Sequence, residues 1–376
     1  MTAPRLEIRL DRIQHNARQL VNRLSSQGIS VTAVTKATLG SPPIVAILTE
    51  AGIAGIGEPR IETIESLRQA GVNLPITLIR SPMLSQVARV VAVADVSLNT
   101  EREVMDHLSA AAMARGRRHG VVLMVELGDR REGILPQQLE GVAQHVLLLP
   151  GLKLIGIGTN LGCQNGVVPT DGSMAELSDL AISLESRFGI ALEQVSGGNS
   201  ANLPWLLAGG VVGRINNLRL GESILLGREP LQRQPIAGLC TNAFTLIAEV
   251  IESNRKPSLP RGEQRQTAFG LAQARPLQAN LPGAGAERDC GDRWRVLLAL
   301  GVQDVDPSGL TPPAGMELLG ASSDHLVLDT GTIAVPVGTE LSFQLSYGAL
   351  LRAMTSPFIS RRMVRQDSDR VSLADL

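Results

Sequence analysis

The stretch Val31-Thr32-Ala33-Val34-Thr35-Lys36-Ala37 decides how the rest of the chain reads. A short run of apolar and β-branched residues leads into a lysine, and Leu39-Gly40 then turns the chain. Such a run reads as a buried strand ending at Lys36. A lysine at that place is costly without a partner or a task. The chain has three lysines, Lys36, Lys153 and Lys256, and arginine carries nearly all its other positive charge. Arginine cannot form a Schiff base, whereas a desolvated lysine amine can. Taken alone, the stretch leaves two readings open: a reactive amine, or a side chain that snorkels from a strand end to water.

Outward from this strand, the same unit recurs. An alternating segment at 6–10 precedes a helical pattern at 12–25, with Asp11 as the cap and Ile13, Ala17, Leu20 and Val21 on one face. Ser41-Pro42-Pro43 opens a helix to residue 51, with Gly52 beyond its end. Further strands are predicted at 55–57, 76–79, 96–98, 120–127, 153–158, 194–196 and 214–220. Helices at 61–70, 84–94, 101–115, 136–146, 174–188 and 201–207 alternate with them. Together with the Lys36 strand this makes eight strands, the pattern of a parallel sheet with crossover helices. Eight such units closed on themselves form a (β/α)8 TIM barrel of about 250 residues. The rival is an open doubly wound sheet, but no G-x-G-x-x-G follows the first strand.

After Pro235 the periodicity changes. Segments at 240–251, 295–300, 316–319, 326–328 and 340–345 read as strands punctuated by Pro and Gly. The expected organisation is an α/β chain with a barrel at 1–235, whose first strand is a candidate to join the second domain, and a C-terminal all-β domain at 236–376. Within that domain, 253–293 is rich in Pro, Gly, Arg and Gln and reads as a long surface excursion. The polar tail 366–376 reads as disordered.

Composition excludes several classes of function. The 35 basic residues are balanced by 36 acidic ones and are not clustered, so nothing points to a nucleic-acid partner. The apolar runs, such as Val90-Val91-Ala92-Val93-Ala94, fall far short of a membrane span, and residues 1–16 lack the apolar core of a signal peptide. Cys163, Cys240 and Cys290 form neither a zinc spacing nor a paired framework, so no metal site is expected and a reducing, cytoplasmic location is.

Chemistry in such barrels collects at the C-terminal ends of the strands. Those positions hold Lys36, then Glu58 and Arg60, Asn99, the Asp129-Arg130-Arg131 run, Thr159-Asn160, Ser196-Gly197-Gly198-Asn199-Ser200, and Arg219-Leu220-Gly221-Glu222. The glycine pair after the seventh barrel strand lets backbone N–H groups approach an anion, where barrels commonly hold phosphate. A tight turn with an N-cap would look the same. Combined with the first-strand lysine, the motif points to one ligand with an aldehyde and a phosphate, which pyridoxal 5′-phosphate is.

These stretches resemble the alanine-racemase-type (fold type III) pyridoxal-phosphate enzymes, and within them the ornithine/lysine racemase branch. The resemblance runs through Val34-Thr35-Lys36-Ala37, Leu127-Gly128-Asp129-Arg130-Arg131-Glu132-Gly133, Gly158-Thr159-Asn160-Leu161, Ser196-Gly197-Gly198-Asn199-Ser200, and the segment from Asn217 through Arg228. It continues in Ala299-Leu300-Gly301-Val302-Gln303-Asp304-Val305-Asp306 and Gly320-Ala321-Ser322-Ser323-Asp324-His325. It implies that Lys36 carries the cofactor and moves the α-proton. Gly197, Gly198, Asn199 and Ser200 would bind the phosphate, as would Tyr347, the one tyrosine of the chain. Arg219 would face the pyridine nitrogen, although Glu222 could contest that role or pair with it. Arg131 would lie near the cofactor hydroxyl and the substrate carboxylate, and Asn160 beside the ring. A homodimer with shared sites is implied as well.

One departure from the family pattern matters. Val302 stands where alanine racemases place the tyrosine that acts on the second face, and valine transfers no proton. Asp304, Asp324, His325 and Cys163 are candidate substitutes, with His325 equally readable as a polar strand-end residue. The other histidines, His15, His107, His119 and His145, fall on helices or linkers away from the rim. The expected activity is racemisation of a basic amino acid, ornithine or lysine, with Glu58, Asp304 and Asp324 as candidates to pair with the distal ammonium. The alternatives are a decarboxylase on the same scaffold and a non-catalytic pyridoxal-phosphate-binding protein. Arg219 opposes the first, and the β domain opposes the second.

Overall fold

The computed structural model describes residues 2–263 and 289–365. Contacts divide the chain into two units, Arg12–Thr241 and the combination of Met1–Asp11 with Asn242–Leu376. The division lies six residues beyond the expected 235/236 border, and the first strand groups with the β unit. That strand, β1 (Arg5–Arg9), pairs antiparallel with β10 (Phe244–Pro257) and parallel with β16 (Ser360–Val364).

The helix that follows, α1 (Leu10–Ser25), buries Ile13, Ala17, Leu20 and Leu24 completely. These positions recur at helical spacing, and each large side chain contributes about 1.5–3 kcal/mol by leaving water. Eight parallel strands then close a barrel. They are β2 (Ser30–Val34), β3 (Gly55–Glu58), β4 (Ile76–Leu78), β5 (Val96–Asn99), β6 (His119–Val125), β7 (Leu152–Thr159), β8 (Gln194–Ser196) and β9 (Asn217–Leu220). The expected TIM barrel is therefore the observed one. Every residue of β6 is buried, which is why parallel barrel strands read as unbroken apolar runs. Crossover helices are α2 (Pro42–Glu50), α3 (Ile61–Gln69), α4 (Val87–Val93), α5 (Arg102–Ala114), α6 (Pro136–Leu147), α7 (Asp171–Phe188) and α8 (Leu203–Leu207). Thr170 and Ser173 form a capping box at the start of α7, and left-handed Gly189 ends it.

Several elements differ from expectation. The first barrel strand stops at Val34, and Lys36–Thr38 forms a 3₁₀ turn closed by left-handed Leu39. The last begins at Asn217, not at 214. A short helix, α9 (Glu222–Leu226), follows it. His119 is neither on a helix nor in a linker: it opens β6, fully buried, with Nε2 2.8 Å from Ser97 Oγ. Burial pushes its pKa down to about 4, so it stays neutral.

In the β unit, the path of hydrogen-bonded strands is β12-β15-β10-β11-β14-β13. These are β11 (Asp292–Leu298), β12 (Leu310–Thr311), β13 (Glu317–Ala321), β14 (Leu326–Gly331) and β15 (Glu340–Leu345), and α10 (Tyr347–Thr355) precedes β16. The excursion expected at 253–293 is cut back from both ends, because Pro257 pairs with Asp292 and Ser253 with Val296. Strand pairing there is decided by the partner strand, which overrides a polar, proline-bearing composition. Residues 264–288 and the expected disordered tail at 366–376 lie outside the described residues.

Candidate active site

Lys36 lies just beyond the C-terminal end of β2, between its two neighbouring strands. On one side Thr32 is in register with Arg219 of β9, and on the other Val34 with Gly57 of β3. The 3₁₀ turn that carries it is tied by Thr38 Oγ1 donating to Thr35 O at 3.0 Å. The amine thus sits on a fixed turn in the chemically active face of the barrel.

Arg219 is 5% exposed, and three acceptors hold its guanidinium. It donates to Ser196 Oγ at 2.5 Å, Thr159 O at 2.8 Å and Asn160 Oδ1 at 3.4 Å. Ser196 Oγ in turn donates to Asn217 Oδ1 at 2.9 Å, and Asn217 Nδ2 donates to Thr32 Oγ1 at 3.0 Å. A one-way chain of hydrogen bonds therefore fixes the guanidinium from below. Burial lowers the Arg219 pKa to about 10, which leaves it cationic at neutral pH. Glu222 takes no part in this set. Its carboxyl is raised by burial and by Glu229, against the charges of Arg233 and Lys36. Sequence reading missed Ser196 and Asn217 as supports, although Asn217 and Arg219 are two apart on one strand and so share its inner face.

The glycine pair is a braced turn. Asn202 Nδ2 donates to Gly197 O at 2.9 Å, and Asn199 N donates to Asn202 Oδ1 at 3.0 Å. Gly198 has φ +140°, and a Cβ there would fall 2.3 Å from Asn202 Oδ1, so only glycine fits. Asn199 Nδ2 reaches Asn160 Oδ1 at 3.0 Å, Leu161 O at 2.8 Å and Cys163 Sγ at 3.5 Å. Ser200, 3% exposed, has Oγ 3.0 Å from Ser223 Oγ and accepts from Ser223 N at 3.3 Å. Asn160 Nδ2 is buried without an acceptor.

The loop after β6 splits the expected acidic and basic residues into different tasks. Asp129 accepts from the backbone of Cys163, Gln164, Asn165 and Val167 at 2.8–3.4 Å. Burial opposes its ionisation, but these four donors hold its carboxyl below the usual range. Arg131 is half-exposed and grips Glu132 with two nitrogens, one of them at 2.5 Å, which raises its pKa further.

Glu58 does not stand open to a substrate. It is 1% exposed, and Thr35 Oγ1 donates to its Oε1. The expected contact with a distal ammonium would have to reach this enclosed carboxyl.

The remaining sequence candidates belong to the β unit. Val302 N and Gln303 N donate to Ser322 O and Ser323 O, so the 301–304 and 322–325 segments do meet. Asp304, however, turns inward. Its oxygens accept from Gly301 N at 3.2 Å and Ser356 Oγ at 2.9 Å, with 4% exposure. It staples a loop to the end of α10, so an acid/base or ammonium-pairing role would compete with these bonds. Asp324 is exposed, paired with His325 Nδ1 at 2.8 Å, and held below the usual carboxylate range by that contact. Tyr347 is the first residue of α10, where Ser346 caps the helix.

Comparison with known proteins places this geometry. The profile "Alanine racemase, N-terminal domain" matches residues 8–229. A lysine racemase of Thermotoga maritima is 38% identical over 363 residues, spanning 96% of this chain and 98% of that one. The chain belongs to the alanine racemase family. An ornithine racemase of Acetoanaerobium sticklandii is 34% identical over 365 residues, covering 96% and 99% of the two chains. The crystal structure of alanine racemase from Streptomyces lavendulae has the same fold, with TM-score 0.73, 19% identity and coverage of 97% and 98%.

Pyridoxal phosphate is the cofactor of the alanine racemase family and fold, and the residues present fit it. The glycine pair keeps the turn between Ser196 and Asn199 free of side chains, so its backbone is open to close approach by an anion. The Ser200 and Ser223 hydroxyls, 3.0 Å apart, are donors that a phosphate could accept from. The buried Asn160 Nδ2 wants an acceptor, and an unsatisfied buried donor of this kind costs about 1–3 kcal/mol. A separate cavity of about 600 Å³, lined by residues such as Gly162, Val168, Pro204, Leu207, Leu231 and Ile236, includes neither Lys36 nor Arg219 in its walls.

Proposed function

We propose that this chain is a pyridoxal-phosphate-dependent racemase of a basic amino acid, lysine or ornithine. The observation that carries the reading is the near end-to-end similarity to a lysine and an ornithine racemase. When bound, pyridoxal phosphate supplies the electron sink that makes an amino acid's α-proton acidic. Lys36 would hold the cofactor and move the α-proton on one face, and a second acid/base would serve the opposite face so that the configuration inverts. The Gly197–Asn199 turn and Ser200 would hold the phosphate, and Asn160 would lie beside the ring. Arg219, cationic and bonded to Ser196, Thr159 and Asn160, would face the pyridine nitrogen and keep it unprotonated. The weaker sink that results favours proton exchange over decarboxylation. Arg131 exchanges from Glu132 to the substrate carboxylate, since a bidentate arginine suits either carboxylate. We place the enzyme in the cytoplasm as a homodimer.

The test is chiral analysis of products from L-lysine, L-ornithine and L-alanine, with carbon dioxide release measured in parallel. D-lysine or D-ornithine is expected, with turnover lowered at least ~10³-fold in Lys36→Ala. Wild type is expected to show a visible-edge band that borohydride abolishes and that the variant lacks. Carbon dioxide release without D-product, or a cofactor-loaded protein inert toward both basic amino acids, would overturn the assignment.

A further inference from the structure

Glu58 is the buried ionisable group of the rim that the reaction described above leaves without a task. It ends β3, whose neighbour β2 leads into Lys36, and Thr35 N donates to Gly57 O at 3.3 Å. The Thr35 hydroxyl donates to Glu58 Oε1, so the carboxyl is tied to the residue immediately before Lys36. Against the four amides that Asp129 receives, this is a single hydroxyl donor. Burial raises the Glu58 pKa to about 7, while the Thr35 bond and the charges of Lys36 and Arg60 pull it down. Neighbouring β4 contributes only Ile76, Thr77 and Leu78, and α3 packs through Ile61, Ile64 and Leu67. Lys36 and Arg60 are therefore the charged groups acting on Glu58, and Glu222 at the head of α9 is the other carboxyl acting on Lys36. A buried carboxyl is thus tied to the residue that precedes a base which must alternate between amine and ammonium.

We propose that Glu58, tied to the residue before Lys36 by the Thr35 hydroxyl, is a positioning residue that sets the proton affinity of Lys36. The proposal rests on the assignment of Lys36 as the base. Ionised Glu58 stabilises the Lys36 ammonium, and protonated Glu58 releases it toward the neutral amine. No proton passes between them: the α-proton goes to the Lys36 nitrogen, and Glu58 adjusts how tightly it is kept. The same carboxyl is sealed from substrate, so its effect falls on the proton-transfer step and not on binding.

The experiment follows Lys36 itself. Full-length cofactor-free protein is treated with trace acetic anhydride across pH 5–10, and Lys36 acetylation is read by mass spectrometry. In parallel, kcat and KM of the loaded enzyme are measured against pH. Glu58→Gln keeps the acceptor for Thr35 and removes the charge. It is expected to move the Lys36 midpoint down by about half to one pH unit and to erase a limb near neutral pH in kcat, with KM little changed. Thr35→Val keeps the carboxyl but frees it, and is expected to give a smaller shift in the same direction. Unchanged midpoints in both variants would overturn the proposal, as would a shift seen in Glu222→Gln but not in Glu58→Gln. Retained racemisation in Lys36→Ala would instead overturn the assignment of the base, a result the acetylation midpoints do not mimic.

Discussion

Asp129 and Glu58 are both 1% exposed and both lie on the loops and strand ends of one barrel, yet their carboxyls are driven in opposite directions. Asp129 is held below the usual range and Glu58 is raised to about 7. Burial alone would raise both. The difference is the number of donors: four amides from 163–167 reach Asp129, whereas a single hydroxyl reaches Glu58. Asp129 fastens the loop after β7 to the loop after β6, and Glu58 is left able to change charge. A buried carboxylate is thus a fastener or a titrating group according to what the backbone brings to it.

Four substitutions test that comparison. The largest effect is expected for Asp129→Ala, which leaves four amides without their acceptor and should lower barrel stability by about 2–4 kcal/mol in urea unfolding. Because the folded pKa of Asp129 is depressed, its contribution is present above the ordinary carboxylate range. It is lost as pH falls through the folded value, and the variant should lack that acid loss. Glu58→Gln should act with the opposite sign. A folded pKa of about 7 against an ordinary 4.5 means that wild-type stability is full below about pH 4.5. It falls by up to about 3 kcal/mol as pH rises to about 7 and levels off above. The glutamine variant should be flat over that window, and an identical slope in both proteins would break the comparison. Asp304→Asn, with one amide and one hydroxyl donor, should cost an intermediate ~1–2 kcal/mol, read from thermal unfolding of the β unit. Lys153→Ala breaks an exposed ion pair to Glu193 and should stay within about 0.5 kcal/mol, as the control.

The barrel was legible because its signals are local. Strand and helix periods, the proline at the start of α2 and the glycine after its end need no knowledge of partners. Lys36, the glycine pair and Arg219 were legible for the same reason, since strand ends in a barrel share one face. In the β unit the reading weakened. β12 is two residues long, β16 carries arginines, and α10 follows a strand without a linker, so none gave a period long enough to see. Tyr347, just past the strand expected at 340–345, is the first residue of a helix.

What the sequence by itself determined is the architecture and the identity of the reactive groups: eight alternating units, one lysine at the first strand end, and a glycine turn at the end of the seventh. What only the tertiary structure decided is the state of the polar groups. Ser196 and Asn217 orient Arg219, Ser356 turns Asp304 inward from 52 residues away, and 163–167 hold Asp129 ionised. Hydrophobic period is written along the chain, but the charge of a buried group depends on donors and dielectric supplied by segments remote in sequence. That dependence is settled when the chain has closed around the group.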